Sequence, residues 1–462
     1  MSLLITNIRD CLTGKLGAGE TFSGAIRVRD GLIAEMGELS PLPGEEVLDA
    51  GGCAVVPGLV NTHHHLFQSV LKAVPKGMNL ALDPWLMHVP YTWWPLLDEE
   101  TFRISARIGL TELVMSGATT VADHHYIYSD RYDYAPSDVL FEEAAKLGIR
   151  FVLARGGMTK GRVFDDPGVP PAPCETLQRF LDETLATAAK WHDPSDMAMT
   201  RVAVAPTTPT FNVALEELGE IAAFARENKL MLHSHLSENE AYAAFTMAKY
   251  GQRPVEWLAD KGWLGSDVWF AHLVDLAPHE VKMLAETGTG MAHCPNANAR
   301  LGSGIAPADA LHRLGGAVSM GVDGAAANEA ADMGIVMHAA FSLHRATKGV
   351  GAVRAQEVLH WATAGGAKVL NLPKVGTLAV GMAADIAVLD LSAPRNLGLH
   401  ERAIAPVITG GIVVKHSLVG GKRIVAGGLP TGVDLGQLAE DAMRLTDRLI
   451  ARQRRQAALE PV

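Results

Sequence analysis

Cysteine is scarce in this chain: Cys11, Cys53, Cys174 and Cys294 are the only four in 462 residues, and no two form a CxxC pair. That excludes a disulfide framework and a thiolate zinc site. Positive charge is also short. Forty Lys and Arg stand against 51 Asp and Glu, a net charge of -11. A nucleic-acid or anionic-membrane partner wants a basic face, so neither is expected. No run approaches the roughly eighteen apolar residues of a membrane span. The start, Met1 to Asn7, lacks the basic opening and long apolar core of a signal peptide, so a cytoplasmic location is expected. No repeat of about 20–50 residues is present, which argues against a solenoid.

What remains is ordinary globular composition, 48% hydrophobic and 20% charged. The length suits one large domain plus a smaller one. Residues 1–57 read as short strands. Ala25–Arg29 and Leu32–Ala34 meet across Asp30-Gly31, a turn that needs positive φ. Residues 371–462 have the same texture: a strand at Asp385–Asp390, then Val413-Val414 and Arg423–Val425 around Gly420-Gly421. Neither end holds enough strands for a stable sheet alone. Both are therefore expected to join in one small β-sandwich domain, with the middle inserted between them. An amphipathic helix over about 436–457 closes the chain, and its Arg452, Arg454 and Arg455 read as a solvated face.

In the middle, 58–370, short apolar runs alternate with helical patterns. Eight such runs are found: 58–61, 118–123, 149–154, 201–206, 230–235, 268–272, 289–293 and 317–323. Helical periodicity lies between them, for example over Glu99–Met115, Leu215–Glu227, Glu280–Glu286 and Asn328–Arg345. This is the pattern of a (β/α)8 TIM-like barrel. Two long connections, Phe67–Asp98 with Trp85, Trp93 and Trp94, and the proline-rich Gly161–Glu175, follow barrel strands. Both are expected to wall a pocket.

The polar residues fall at informative places. In an extended strand, side chains alternate, so His63 and His65 share a face and His64 takes the other. His235, His272 and Asp323 end the fifth, sixth and eighth runs. All would stand on one rim. His63, His65, His235 and Asp323 make a three-nitrogen, one-carboxylate set for a single divalent ion, with a position left for water. Glu238, three residues after His235, is placed to shuttle protons. Asp323 can take a proton from the water, and His272 can hydrogen-bond the nascent oxygen.

Several motifs carry a resemblance. They are Pro57-Gly58-Leu59-Val60-Asn61-Thr62-His63-His64-His65, His235-x-x-Glu238, Ala271-His272 and Gly321-Val322-Asp323-Gly324. His293-Cys294-Pro295-Asn296-Ala297-Asn298 through Gly302-Ser303-Gly304, and Gly376 to Asp385, complete the series. In this order the chain resembles the amidohydrolase superfamily, within its cytosine/guanine-deaminase-like group. The resemblance implies a metal-dependent hydrolase barrel, with ligands on His63, His65, His235 and Asp323 and shuttles on Glu238 and His272. Two-metal relatives carry a carboxylated lysine at the end of strand four. Here Val204 to Thr210 contains none, so one ion is expected, zinc first and iron as the alternative. The PCxxC motif of nucleoside-type zinc deaminases is absent.

His63-His64-His65-Leu66-Phe67-Gln68 resembles deaminases of oxidised purines and pterins, in which the glutamine reads a ring amide. Arg155 is a candidate for a ring carbonyl, with a rim salt bridge as the alternative. Trp85, Trp93, Trp94 and Tyr126 are candidate stacking surfaces for a flat heterocycle. Ala297 and Ala299 stand where relatives carry larger residues, which favours a six-six ring such as isoxanthopterin over 8-oxoguanine. The expected function is release of ammonia from an amino-substituted N-heterocycle. The rivals are hydrolytic dehalogenation or cyclic amide opening at the same site, and an inactive barrel used for binding. A homo-oligomer is expected.

Overall fold

The eight apolar runs lack polar–apolar alternation, as strands covered on both faces should. In the computed structural model, which describes residues 2–162 and 169–459, they pair in parallel as a closed barrel. The barrel strands are β1 (Leu59–Asn61), β2 (Ala118–His125), β3 (Arg150–Arg155), β4 (Thr200–Val204), β5 (Met231–Leu236), β6 (Val268–His272), β7 (Gly290–His293) and β8 (Val318–Met320). Met320 of β8 pairs with Asn61 of β1 and shuts the ring. Helices alternate with the strands, giving the (β/α)8 architecture that the pattern implied.

The two chain ends meet in a pair of sheets. One holds Leu32–Gly37, Gly24–Arg29, Ser2–Ile8 and Glu46–Asp49. The other mixes both ends: Cys53–Pro57 from the start lies antiparallel to Ile386–Asp390 from the finish. Their apolar faces share one core, with Leu3, Ile26, Leu48 and Val55 packed with Leu378, Ile386, Val388 and Leu418. At the hairpin, Asp30 and Gly31 take φ of 50° and 81°, as its two-residue turn requires. A buried ion pair ties barrel to sheets. Arg150 of β3 donates from Nε to Asp385 Oδ2 at 2.6 Å and from Nη2 to Oδ1 at 3.1 Å.

Three details depart from the sequence reading. The Phe67–Asp98 connection is a chain of short helical turns, among them Leu82–His88 and Pro90–Trp93. The helix expected over Asn328–Arg345 starts instead at Met333, because Asp332 caps it by accepting from the Gly334 and Ile335 N–H groups. The terminal helix, Leu435–Leu459, is more than a solvated face. Leu445 and Leu449 are buried, Arg448 pairs with Asp98 and Glu100, and Arg452 pairs with Asp98. Residues 163–168 of the proline-rich connection lie outside the described residues. No described helix is long and apolar enough to cross a membrane.

Candidate active site

The strand ends bring the expected polar residues together. His63 and His65 follow β1, His235 lies in β5, His272 ends β6 and Asp323 follows β8. The Nε2 atoms of His63 and His65 lie 3.5 and 3.3 Å from Asp323 Oδ1. His65 Nε2 lies 3.1 Å from His235 Nε2. His64 turns the other way, to the helix Glu99–Met115, where a Cβ on Gly109 would come within 3.0 Å of its Nε2. Asp323 and His272 hold positive φ, 62° and 73°. Both are non-glycine residues in the left-handed region, which costs energy and is typical of functional positions.

Whether these residues suit a cation is decided by proton positions. A carbonyl oxygen only accepts, so a ring nitrogen facing one must carry the hydrogen. His65 Nδ1 donates to the His124 carbonyl at 2.7 Å, and His235 Nδ1 donates to the Thr207 carbonyl at 2.7 Å. When neutral, both rings therefore present lone pairs on Nε2, and these two lone pairs face each other at 3.1 Å. Two acceptors at that distance repel unless a positive charge lies beside them. His63 behaves alike through one more ring. His233 Nδ1 donates to the Trp269 carbonyl at 3.0 Å, so its Nε2 accepts from His63 Nδ1 at 2.9 Å. The His63 Nε2 is buried with no hydrogen-bond partner. Burial pushes the His63 and His235 pKa values well below the ordinary value, so both rings are neutral. Burial also acts against a charged His65, but the Asp323 carboxylate outweighs it and raises the pKa. The same pull favours any cation at that point. Ligand atoms of His63, His65, His124 and His235 lie within 4.8 Å of one another, as do those of His63, His272 and Asp323, and imidazoles with one carboxylate fit a single divalent ion of the zinc type.

Glu238 stands beside this cluster, 5% exposed, with Oε2 3.7 Å from His272 Nε2. Burial pushes its carboxyl up to about 6; His272 opposes the rise and Asp323 adds to it. His272 is held by Asn298, whose Oδ1 lies 2.9 Å from Nδ1. A cavity opens over these groups, with about 480 Å³ of empty space out to its mouth. Gln68, Trp85, Tyr126, Arg162, Asn212 and Tyr242 help to line it.

Not every expected contact is found there. Arg155 is a correction: its guanidinium is 1% exposed and grips Glu175 through both terminal nitrogens at 2.6 and 2.8 Å. It also lies 3.9 Å over the Tyr128 ring. Glu175 draws it away from the cavity, and among the described residues the arginine on the cavity wall is Arg162, which the sequence reading missed. Trp85 lines the cavity, whereas Trp93 and Trp94 are buried in the core outside its lining. Ala299 is exposed and Ala297 is fully buried, and Leu301 is what reaches the cavity from this stretch. Neither alanine lines the cavity, so their small side chains make no room for a larger ring. His233 and His124 were missed too. Both join the ring cluster, His124 with its centroid 4.7 Å from that of His235. The alternation His233-Ser234-His235 was the available signal.

The amidohydrolase family matches residues 54–424, four-fifths of the chain. The chain belongs to the amidohydrolase family. Among curated relatives of this amidohydrolase, an isoxanthopterin deaminase from an unknown prokaryotic organism is 45% identical, covering 97% of each chain. The 8-oxoguanine deaminase of Pseudomonas aeruginosa is 34% identical over 96% of this chain and 99% of that one. Among solved structures, an atrazine chlorohydrolase from Arthrobacter aurescens complexed with zinc superposes with a TM-score of 0.87. It is 27% identical and covers 96% of this chain and all of that one (100%).

Proposed function

We propose that this amidohydrolase is a zinc-dependent aminohydrolase of bicyclic lactam heterocycles, with isoxanthopterin its best-supported substrate and 8-oxoguanine the second. The observation that carries the reaction class is Glu238, a buried carboxyl at about 6, beside His272 and the cluster of His63, His65, His235 and Asp323. The 45% likeness to an isoxanthopterin deaminase carries the ring preference.

His63, His65, His235 and Asp323 would hold a divalent ion, which would polarise a water and lower its pKa towards neutrality. Asp323 accepts a proton from that water as its oxygen attacks the ring carbon bearing the amine. Asp323 hands that proton to the Glu238 carboxylate, which carries it to the adjacent ring nitrogen, relieving the charge that attack builds there. His272 hydrogen-bonds the new oxygen. The second water proton then reaches the amine, the C–N bond breaks, and ammonia leaves with a ring carbonyl in its place. Overall, water and the aminated ring give ammonia and the lactam. Gln68 reads the amide edge of the ring: Nε2 lies 3.3 Å from the Tyr126 hydroxyl, and Oε1 is buried with no hydrogen-bond partner. Trp85 and Tyr126 are stacking surfaces, and Arg162 takes the part that the sequence reading gave Arg155.

The likeness to a chlorohydrolase keeps dehalogenation as a second reading. Incubating the zinc enzyme with isoxanthopterin, 8-oxoguanine, cytosine and a chlorotriazine, and assaying ammonia and chloride, separates the two. Ammonia from isoxanthopterin is expected. Chloride release with no ammonia from either bicyclic ring would overturn the proposal.

A further inference from the structure

Gly324 follows Asp323, a proposed ligand, and its backbone gives no reason for a glycine. Its φ and ψ are −65° and 138°, an extended conformation open to any residue. The reason is space. A Cβ on Gly324 would lie 1.9 Å from Gln68 Oε1, 2.5 Å from Cδ and 3.1 Å from Nε2. No side chain fits there while the Gln68 amide keeps its place. Gln68 is itself 1% exposed, on the turn Leu66–Val70 after β1. The next residues serve the same wall: the Ala326 carbonyl accepts from Trp85 Nε1 at 3.2 Å.

We infer that Gly324 is a specificity-determining residue, because its missing side chain seats the Gln68 amide where it can read the lactam edge of the substrate ring. The inference rests on the reading of Gln68 given above, and adds the element that holds the reader in place. It acts as a positioning residue, since it reaches the substrate through Gln68. A methyl group at 324 meets the movable end of a side chain, so the protein should fold while the amide swings aside. The substrate's donor and acceptor would then be left unpaired in a buried site, and binding would suffer.

The test is a double-mutant cycle with isoxanthopterin, reading kcat and KM from ammonia release, with zinc content and melting temperature measured on every variant. G324A and Q68A are each expected to raise KM about tenfold or more, with zinc content and melting kept. The doubly substituted protein is expected to be no worse than Q68A, because with the amide gone the methyl has nothing to displace. If Q68A raises KM and G324A does not, or if the two losses multiply, the inference about Gly324 is wrong. Zinc loss in G324A would assign the glycine to the Asp323 loop and also overturn it. If the parent enzyme turns over isoxanthopterin but Q68A leaves KM unchanged, the reading of Gln68 fails first and the inference falls with it. A parent inactive on isoxanthopterin sinks the substrate proposal itself, and the inference with it.

Discussion

Glu238→Gln keeps the shape of the side chain and removes its proton. Burial has raised the Glu238 carboxyl from 4.5 to about 6. At pH 7 that lifts the protonated fraction about thirtyfold, from ~0.3% to ~9%, while most of the population remains carboxylate. A group balanced in this way can both take and give a proton near neutrality, which a normal glutamate cannot. Loss of general acid–base catalysis typically costs about 10²–10⁴ in rate, or roughly 3–5.5 kcal/mol of barrier. The expected result is a kcat lower by that factor, with zinc content unchanged, because Glu238 lies outside the proposed ligand set. In the parent, kcat/KM should fall as pH drops through about 6, when the carboxylate that must first accept is already protonated. That limb should be missing from the residual activity of the variant. A misfolded variant is told apart by melting. The folded pKa lies above the unfolded one, so the ionised group costs stability above about pH 6 and costs nothing below about 4.5. The glutamine should therefore melt no lower than the parent at pH 7. Turnover above a tenth of the parent's would remove Glu238 from the proton path.

Three further expectations test the surroundings of the site. His233→Ala takes away the acceptor for His63 Nδ1 and should weaken zinc binding about 10–100-fold, read by chelator competition; unchanged affinity would show that the second ring does not orient the first. Asp385→Ala leaves the Arg150 guanidinium buried without its carboxylate and should cost about 3–5 kcal/mol, seen as a lower urea midpoint; a shift under ~1 kcal/mol would mean that the sheets and barrel are joined by apolar packing alone. Arg155→Met leaves Glu175 with Arg179 alone, at 3.7 Å, in place of its close bidentate partner, and should lower the melting temperature while KM stays within about twofold. A tenfold rise in KM would restore Arg155 to the substrate.

The barrel was legible because its strands are buried on both faces and so read as unbroken apolar runs. All eight observed strands overlap the runs picked from the sequence. That the four proposed ligands and two proposed shuttles gather was legible because strand ends put distant residues on one rim. Side chains beyond the strand ends were harder. Arg155 is the last residue of β3, and strand position alone suggested the cavity. The winning partner, Glu175, comes from a connection with no periodicity to place it. Arg162 sits in the same connection and gave no signal for the same reason. The short helices after β1 likewise decide which tryptophan faces inward, and only Trp85 does among the three considered.

His233 shows what the sequence held and did not yield by itself. Both β1 and β5 run into a His-x-His, and the two pairs face each other across the barrel mouth. His63 stands 2.9 Å from His233, and His65 stands 3.1 Å from His235. Spacing and residue type are the same in each contact, yet the chemistry differs. In the first, the Trp269 carbonyl takes the far proton of His233, so a donor meets an acceptor and the contact is complete. In the second, the carbonyls of His124 and Thr207 take both Nδ1 protons, so between neutral rings an acceptor meets an acceptor, and the contact needs a metal ion or a further proton on His65. Periodicity can say that four imidazoles converge. Which two of them leave lone pairs facing each other is fixed by backbone carbonyls on other strands, and those are set only when the barrel closes.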